Sequence, residues 1–175
     1  MKTTTLLFVS SATTLMLGAC SSGQPGDSAR ARLSIAVAPL TLPGISDACY
    51  DLAVFDGASP ATAGLVWSKS GLCSSRYGDG HGSLAYVGAC DASGPDGQRM
   101  ASVRLVLNDL CSGGDCVVPG PGATSLDADS YDNPCRAPDG CVVARPCVDN
   151  SDTPVVFNLV VLRDAQQGFF DMAVN

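Results

Sequence analysis

Three residues of the types used in a charge-relay hydrolase fall within one glycine-rich stretch: Asp79, His81 and Ser83 in Arg76-Tyr77-Gly78-Asp79-Gly80-His81-Gly82-Ser83. An Asp that orients a His, which in turn takes a proton from Ser, makes a hydroxyl nucleophilic. The spacing argues against that chemistry here. Members of such a relay converge from separated, rigid elements, and no Gly-x-Ser-x-Gly elbow presents the serine. The stretch reads as a flexible hairpin loop with an exposed histidine, and a small secreted hydrolase using Asp79, His81 and Ser83 is the alternative reading. A second constellation, Asp127, Asp129, Asp132 and Asn133, gathers the oxygen ligands that calcium takes in sets of about six to eight. As an EF-hand loop it fails, because Asp132 and Pro138 stand where Gly and Glu are needed. It reads as an Asp-rich turn, with a calcium-stabilised glycan- or protein-binding module as the variant. His81 is the only histidine and no Cys-x-x-Cys pair occurs, so neither a zinc-thiolate site nor a c-type haem is expected, and no cofactor is assigned.

The amino terminus carries a different chemistry, that of a thiol acceptor. Lys2 supplies a positive charge, Leu6-Leu7-Phe8-Val9 opens an apolar stretch, and the segment closes on Leu17-Gly18-Ala19-Cys20. This looks like a bacterial lipobox, in which the Cys thiol receives a diacylglycerol and the chain is cut just before it. Residues 1–19 are then a lipoprotein signal peptide, and residues 20–32 are the lipidated Cys20 and a flexible tether. The 14 residues from Leu6 to Ala19 fall short of the roughly 20 that span hydrocarbon. An acylated Cys20 holds the protein on a membrane, outside the cytoplasm. Ser21, in place of Asp, resembles the outer-membrane sorting pattern.

Eight cysteines follow Cys20: Cys49, Cys73, Cys90, Cys111, Cys116, Cys135, Cys141 and Cys147. An even number in an exported chain implies disulfides, up to four here, although spacing does not decide the connectivity. Cys73 and Cys90 bracket a glycine-rich loop and are expected to bridge a hairpin. Cys111 to Cys147 are expected to pair largely among themselves or with Cys49.

The elements that position these groups follow from composition and periodicity. All 17 acidic residues are Asp, and Lys occurs only at Lys2 and Lys69, against 19 Gly and 11 Pro. Asp, Gly and Pro favour turns, whereas Glu and Lys make exposed helix faces, so the chain is expected to be all-β. The net charge of −7 leaves no cationic surface for phosphate, and nucleic acid is excluded as a partner. Alternating apolar residues predict strands at Leu33–Val37, placed at an edge, Tyr50–Phe55, Ala63–Trp67, Leu84–Val87 and Val103–Asn108. The fifth also fits a helical spacing through Met100, Val103, Leu107 and Leu110. Val155–Leu162, apolar on both faces, predicts a strand buried between layers. Phe169, Phe170, Met172 and Val174 predict a closing strand. Asp56, Asp79, Asp96 and Asp139 each precede Gly, the signature of tight hairpin turns.

The resulting expectation is an antiparallel β-sandwich of immunoglobulin-like architecture over residues 33–175, with Trp67 in its core. The segment 111–152, with five cysteines, is expected to be a disulfide-stapled long loop, an excursion from one end of the sandwich.

The lipobox together with Arg32-Leu33-Ser34-Ile35-Ala36-Val37, Tyr86-Val87-Gly88-Ala89-Cys90-Asp91 and Arg163-Asp164-Ala165-Gln166-Gln167-Gly168-Phe169-Phe170-Asp171 resembles a group of uncharacterised bacterial cell-surface lipoproteins. The resemblance implies a cell-envelope location and a further cysteine-bearing tail beyond Asn175, and carries over no activity or site residue. The expected function is a lipid-anchored, non-enzymatic binding or structural role at the cell envelope, with an envelope protein or glycan as partner.

Overall fold

The computed structural model describes residues 31–40, 42–117 and 122–163. Cys20 and its signal, nearly all of the tether, and the expected strand around Phe169–Val174 lie outside the described residues.

The fold is all-β, two sheets packed face to face. β1 (Arg32–Val37), β4 (Leu84–Ala89) and β9 (Asp152–Phe157) form one sheet in the order β4-β1-β9. β2 (Asp47–Phe55), β3 (Leu65–Cys73), β5 (Gln98–Ser112) and β8 (Cys141–Val148) form the other, with β3, β2 and β5 in that order and β8 on the far side of β5. The two-residue β6 (Thr124–Ser125) pairs on β8's side of β5 at its Cys111–Ser112 end. β7 (Tyr131–Asp132) and β10 (Leu162–Arg163) pair separately.

Alternation decides which side chains meet. Leu33, Ile35 and Val37 of β1, Leu84 of β4, and Val155 and Phe157 of β9 are buried against Tyr50, Leu52 and Val54 of β2 and Val103, Leu105 and Leu107 of β5. Each such side chain removed from water contributes on the order of 1.5–3 kcal/mol. β2 is buried on both faces except at Asp51; on its outer side Arg104 stacks over Phe55 at 5.4 Å and Cys49 is bridged to Cys73.

Several expectations need correction. β1 lies at the centre of its sheet, paired with β4 on one side and β9 on the other. The β1–β9 ladder is parallel, so the sandwich is not wholly antiparallel; the chain between them makes the long crossover that parallel pairing requires. The run from Val155 gives a strand only to Phe157, and it forms an edge: Val156, Val160 and Leu162 are exposed. The fifth run is a strand of 15 residues with no helical turn, held by β2 on one edge and β8 on the other. Among the Asp-Gly pairs the left-handed backbone is taken by glycine alone, at Gly80, Gly97 and Gly140. The aspartates stay at negative φ, so these are not the doubly left-handed hairpin turns that the pairs suggest.

The segment 111–152 is less of an excursion than its composition implies. Cys141–Val148 is a full sheet strand, in register with β5 from Gln98↔Val148 to Leu105↔Cys141, and Cys135 and Cys147 are fully buried. The stapled loop is confined to the stretch between β5 and β8.

All eight cysteines after Cys20 are bridged: Cys49–Cys73, Cys90–Cys147, Cys111–Cys116 and Cys135–Cys141. The expected Cys73–Cys90 bridge is therefore wrong. β3 and β4 are not a hairpin; they belong to different sheets, joined by the short helix α1 (Ser74–Tyr77) and the glycine-rich loop. Cys73 instead faces Cys49 across the β2–β3 ladder, and Cys90, at the end of β4, reaches Cys147 of β8 and ties sheet to sheet.

Candidate functional site

The glycine-rich loop does not assemble a relay. The Asp79 carboxylate accepts from the backbone N–H of His81 at 2.8 Å, and the Ser83 hydroxyl accepts from the Asp79 N–H at 2.9 Å. Bonding to the Ser83 hydroxyl, then to the His81 N–H, holds the Asp79 carboxyl below its ordinary value. The His81 ring turns away, with Nδ1 3.4 Å from the carbonyl oxygen of Ile45. The loop is also pinned, not flexible. Tyr50 donates to the Gly82 carbonyl at 2.6 Å, the Gly82 N–H donates to Ser74 Oγ at 3.1 Å, and the Leu40 N–H donates to the His81 carbonyl at 3.0 Å. Burial first, then the negative charges of Asp47 and Asp79, push the Tyr50 phenol well above its usual range, so it stays a hydrogen-bond donor.

The oxygen-rich turn is likewise occupied by its own backbone. Asp127 Oδ1 accepts from Asp129 N at 3.1 Å, and Asp132 sits in the β7–β10 ladder. Asn133 spends both ends of its amide, accepting from Cys135 N and donating to the Leu107 carbonyl, each at 2.9 Å. Asp127, Asp129 and Asp132 do not converge on a common point among the described residues.

Among the described residues, the one convergent set of potential ligand atoms is Asp47, Cys49 and Cys116, but both sulfurs are locked in disulfides and unavailable as thiolates. Asp47 is fully buried and works as a clasp. Its carboxylate accepts from the Ser74 hydroxyl at 2.7 Å, from Ser75 N and Cys116 N at 2.9 Å each, and from the Ser75 hydroxyl at 3.0 Å. It joins the start of β2, helix α1 and the Cys111–Cys116 loop. Burial alone would raise its pKa, but the bonds from Cys116 N, Ser74 and Ser75 outweigh that and hold it below the ordinary carboxylate value.

A site open to ligands lies elsewhere, where the free edge of β3 faces the free edge of β4. Trp67, Ser68 and Lys69 of β3 and Tyr86, Val87, Gly88 and Ala89 of β4 line a shallow groove of about 310 Å³. Trp67 is opposite Val54 in the β2–β3 ladder, so its side chain points to the inner face, but β3 overhangs the other sheet and the indole spans the gap. The indole N–H donates to the Ala89 carbonyl at 2.6 Å. The Trp67 and Tyr86 rings are tilted at 45° with centroids 5.6 Å apart, and Tyr77 meets Tyr86 edge-on at 6.2 Å. Trp67 and Tyr86 are half-buried, while Tyr77, Val87 and Lys69 are exposed. No family model, curated protein or solved structure matches this chain.

Trp67 is thus only partly a core residue, and its role at the groove is not apparent from alternation alone. The signal present in the sequence is the composition of β3 beyond it, Ser68-Lys69-Ser70-Gly71, too polar for a strand covered on its inner face.

Proposed function

We propose that the protein is a lipid-anchored component of the cell envelope with a non-enzymatic binding role, and that the groove lined by Trp67 and Tyr86 holds a saccharide. The observation that carries this reading is the tilted Trp67–Tyr86 pair, half-exposed on a rigid double-edge scaffold. Aromatic rings offer large contact area at little conformational cost, and they stack on the apolar C–H face of a sugar ring. Four disulfides support an oxidising location outside the cytoplasm, in keeping with an anchor at Cys20. No helix among the described residues is long and apolar enough to cross a membrane. Asp79, His81 and Ser83 lend the hydrolase alternative no relay geometry.

Native gel electrophoresis through soluble envelope polysaccharide tests the reading. The wild-type protein is expected to be retarded, and Trp67→Ala and Tyr86→Ala to migrate as they do without polysaccharide. Equal mobility of wild type and variants across envelope and plant polysaccharides would remove the groove as a saccharide site.

A further inference from the structure

We propose that the saccharide taken by this groove is acidic, and that its carboxylate pairs with Lys69; the inference rests on the reading of the groove as a saccharide site. Lys69 is the only lysine beyond Lys2 in a chain of net charge −7 with 17 aspartates. The groove nevertheless contains Lys69 and no carboxylate. The ion pairs among the described residues are made by Arg32 with Asp152 and by Arg99 with Asp56 and Asp91, and Lys69 takes part in none. An uncompensated ammonium on an otherwise acidic surface is a local attractor for an anion, one that the overall charge does not provide.

Its position fits a sugar acid. Lys69 follows Trp67 by two residues on one strand, so both side chains leave the same face with their Cα atoms about 7 Å apart. A pyranose stacked on Trp67 and Tyr86 carries a ring carboxylate to its periphery, within reach of the flexible Lys69 stem.

An acidic peptide fits less well. Strand addition needs the outward acceptors of a sheet edge, and the Trp67 indole already occupies the Ala89 carbonyl of β4. On β3, Gly71 takes φ +69°, which breaks the regular edge.

Trp67 is the only tryptophan in the chain, so its emission reports on this groove directly. The full-length protein in detergent is titrated with tetragalacturonate and with the fully methyl-esterified tetramer, at low and high salt. Free acid is expected to bind about threefold to fivefold more tightly than ester, the range of an exposed ion pair. That preference should shrink at high salt and vanish in Lys69→Gln. Equal affinity for acid and ester overturns the acidic inference and leaves the saccharide reading standing. If neither tetramer perturbs Trp67, and calorimetry also records no binding, both fall.

Discussion

The indole of Trp67 occupies the space that a side chain at position 88 would need. A Cβ built on Gly88 collides with Cζ2, Cε2 and Cη2 of the ring, so glycine on β4 is what lets β3 lay its tryptophan across the other sheet. Gly88→Ala is expected to push the indole outward, break its bond to the Ala89 carbonyl and cost about 1–3 kcal/mol, as overpacking does. Trp67 emission should shift to the red and saccharide binding should fall, with all four disulfides retained. Unchanged emission would mean that the ring does not rest on Gly88.

The Asp47 clasp should control the acid limb of stability. Its folded pKa lies below 3.8, so the carboxylate's contribution is present above the unfolded value and is lost as pH falls through the folded one. Wild-type stability should hold through neutral pH and decline below about pH 4. Asp47→Asn turns one carboxylate oxygen into a donor that faces the Cys116 N–H and is expected to cost about 2–4 kcal/mol at neutral pH, with a shallower acid limb. Urea denaturation across pH measures both; parallel acid limbs for wild type and variant would show that another group governs the decline.

The alternation of Leu33–Val37, Tyr50–Phe55 and Val103–Leu107 was enough to read two β layers, because one buried face per strand leaves a period of two in the sequence. Neighbours in the sheet were not legible. β1 pairs with β9 across more than a hundred residues, and no local pattern specifies a parallel partner so distant. The bridge expected between Cys73 and Cys90 failed for a related reason: closeness in sequence implied a hairpin, whereas the chain changes sheets at Ser74. Asp47 was hidden because a buried, fully bonded Asp is indistinguishable by type from the sixteen other aspartates. The groove was hidden because it exists only where the edges of two sheets meet.

The bridges should differ in weight. Cys90–Cys147 closes a loop with sequence separation 57 and Cys111–Cys116 one with separation 5, which correspond by chain entropy to about 4 and about 2 kcal/mol. Replacing Cys90 and Cys147 together by Ser is expected to lower the midpoint of denaturation much more than replacing Cys111 and Cys116. The first pair also ties the sheets together, so its loss should increase hydrogen exchange in β8 and β4 while β2 stays protected. Equal midpoints for the two double variants would contradict this ordering.

His81→Ala separates the hydrolase alternative from the binding reading. The ring is exposed and makes a single 3.4 Å approach to the Ile45 carbonyl, so its removal should change stability by less than about 0.5 kcal/mol. Saccharide binding should be unaffected, since the groove does not include the residue. A hydrolytic activity on chromogenic esters or glycosides that disappears in His81→Ala, with folding intact, would reverse the ranking of the two readings.

The anchor rests on one thiol. In the lipobox reading Cys20 is the acceptor for diacylglycerol, and acylation precedes removal of residues 1–19, so Cys20→Ala should block both steps. Labelling cells with an alkyne fatty acid should mark the wild-type protein and leave the variant unmarked, with the variant larger by the retained signal. The eight remaining cysteines are an internal control, because each is bridged in the folded domain and offers no free thiol. Label persisting in Cys20→Ala would therefore point to an acceptor other than Cys20 and remove the basis for placing the protein on a membrane by this anchor. Loss of label together with release of a signal-cleaved protein would show that cleavage does not depend on the Cys20 thiol, and would overturn the lipobox order of acylation before cleavage.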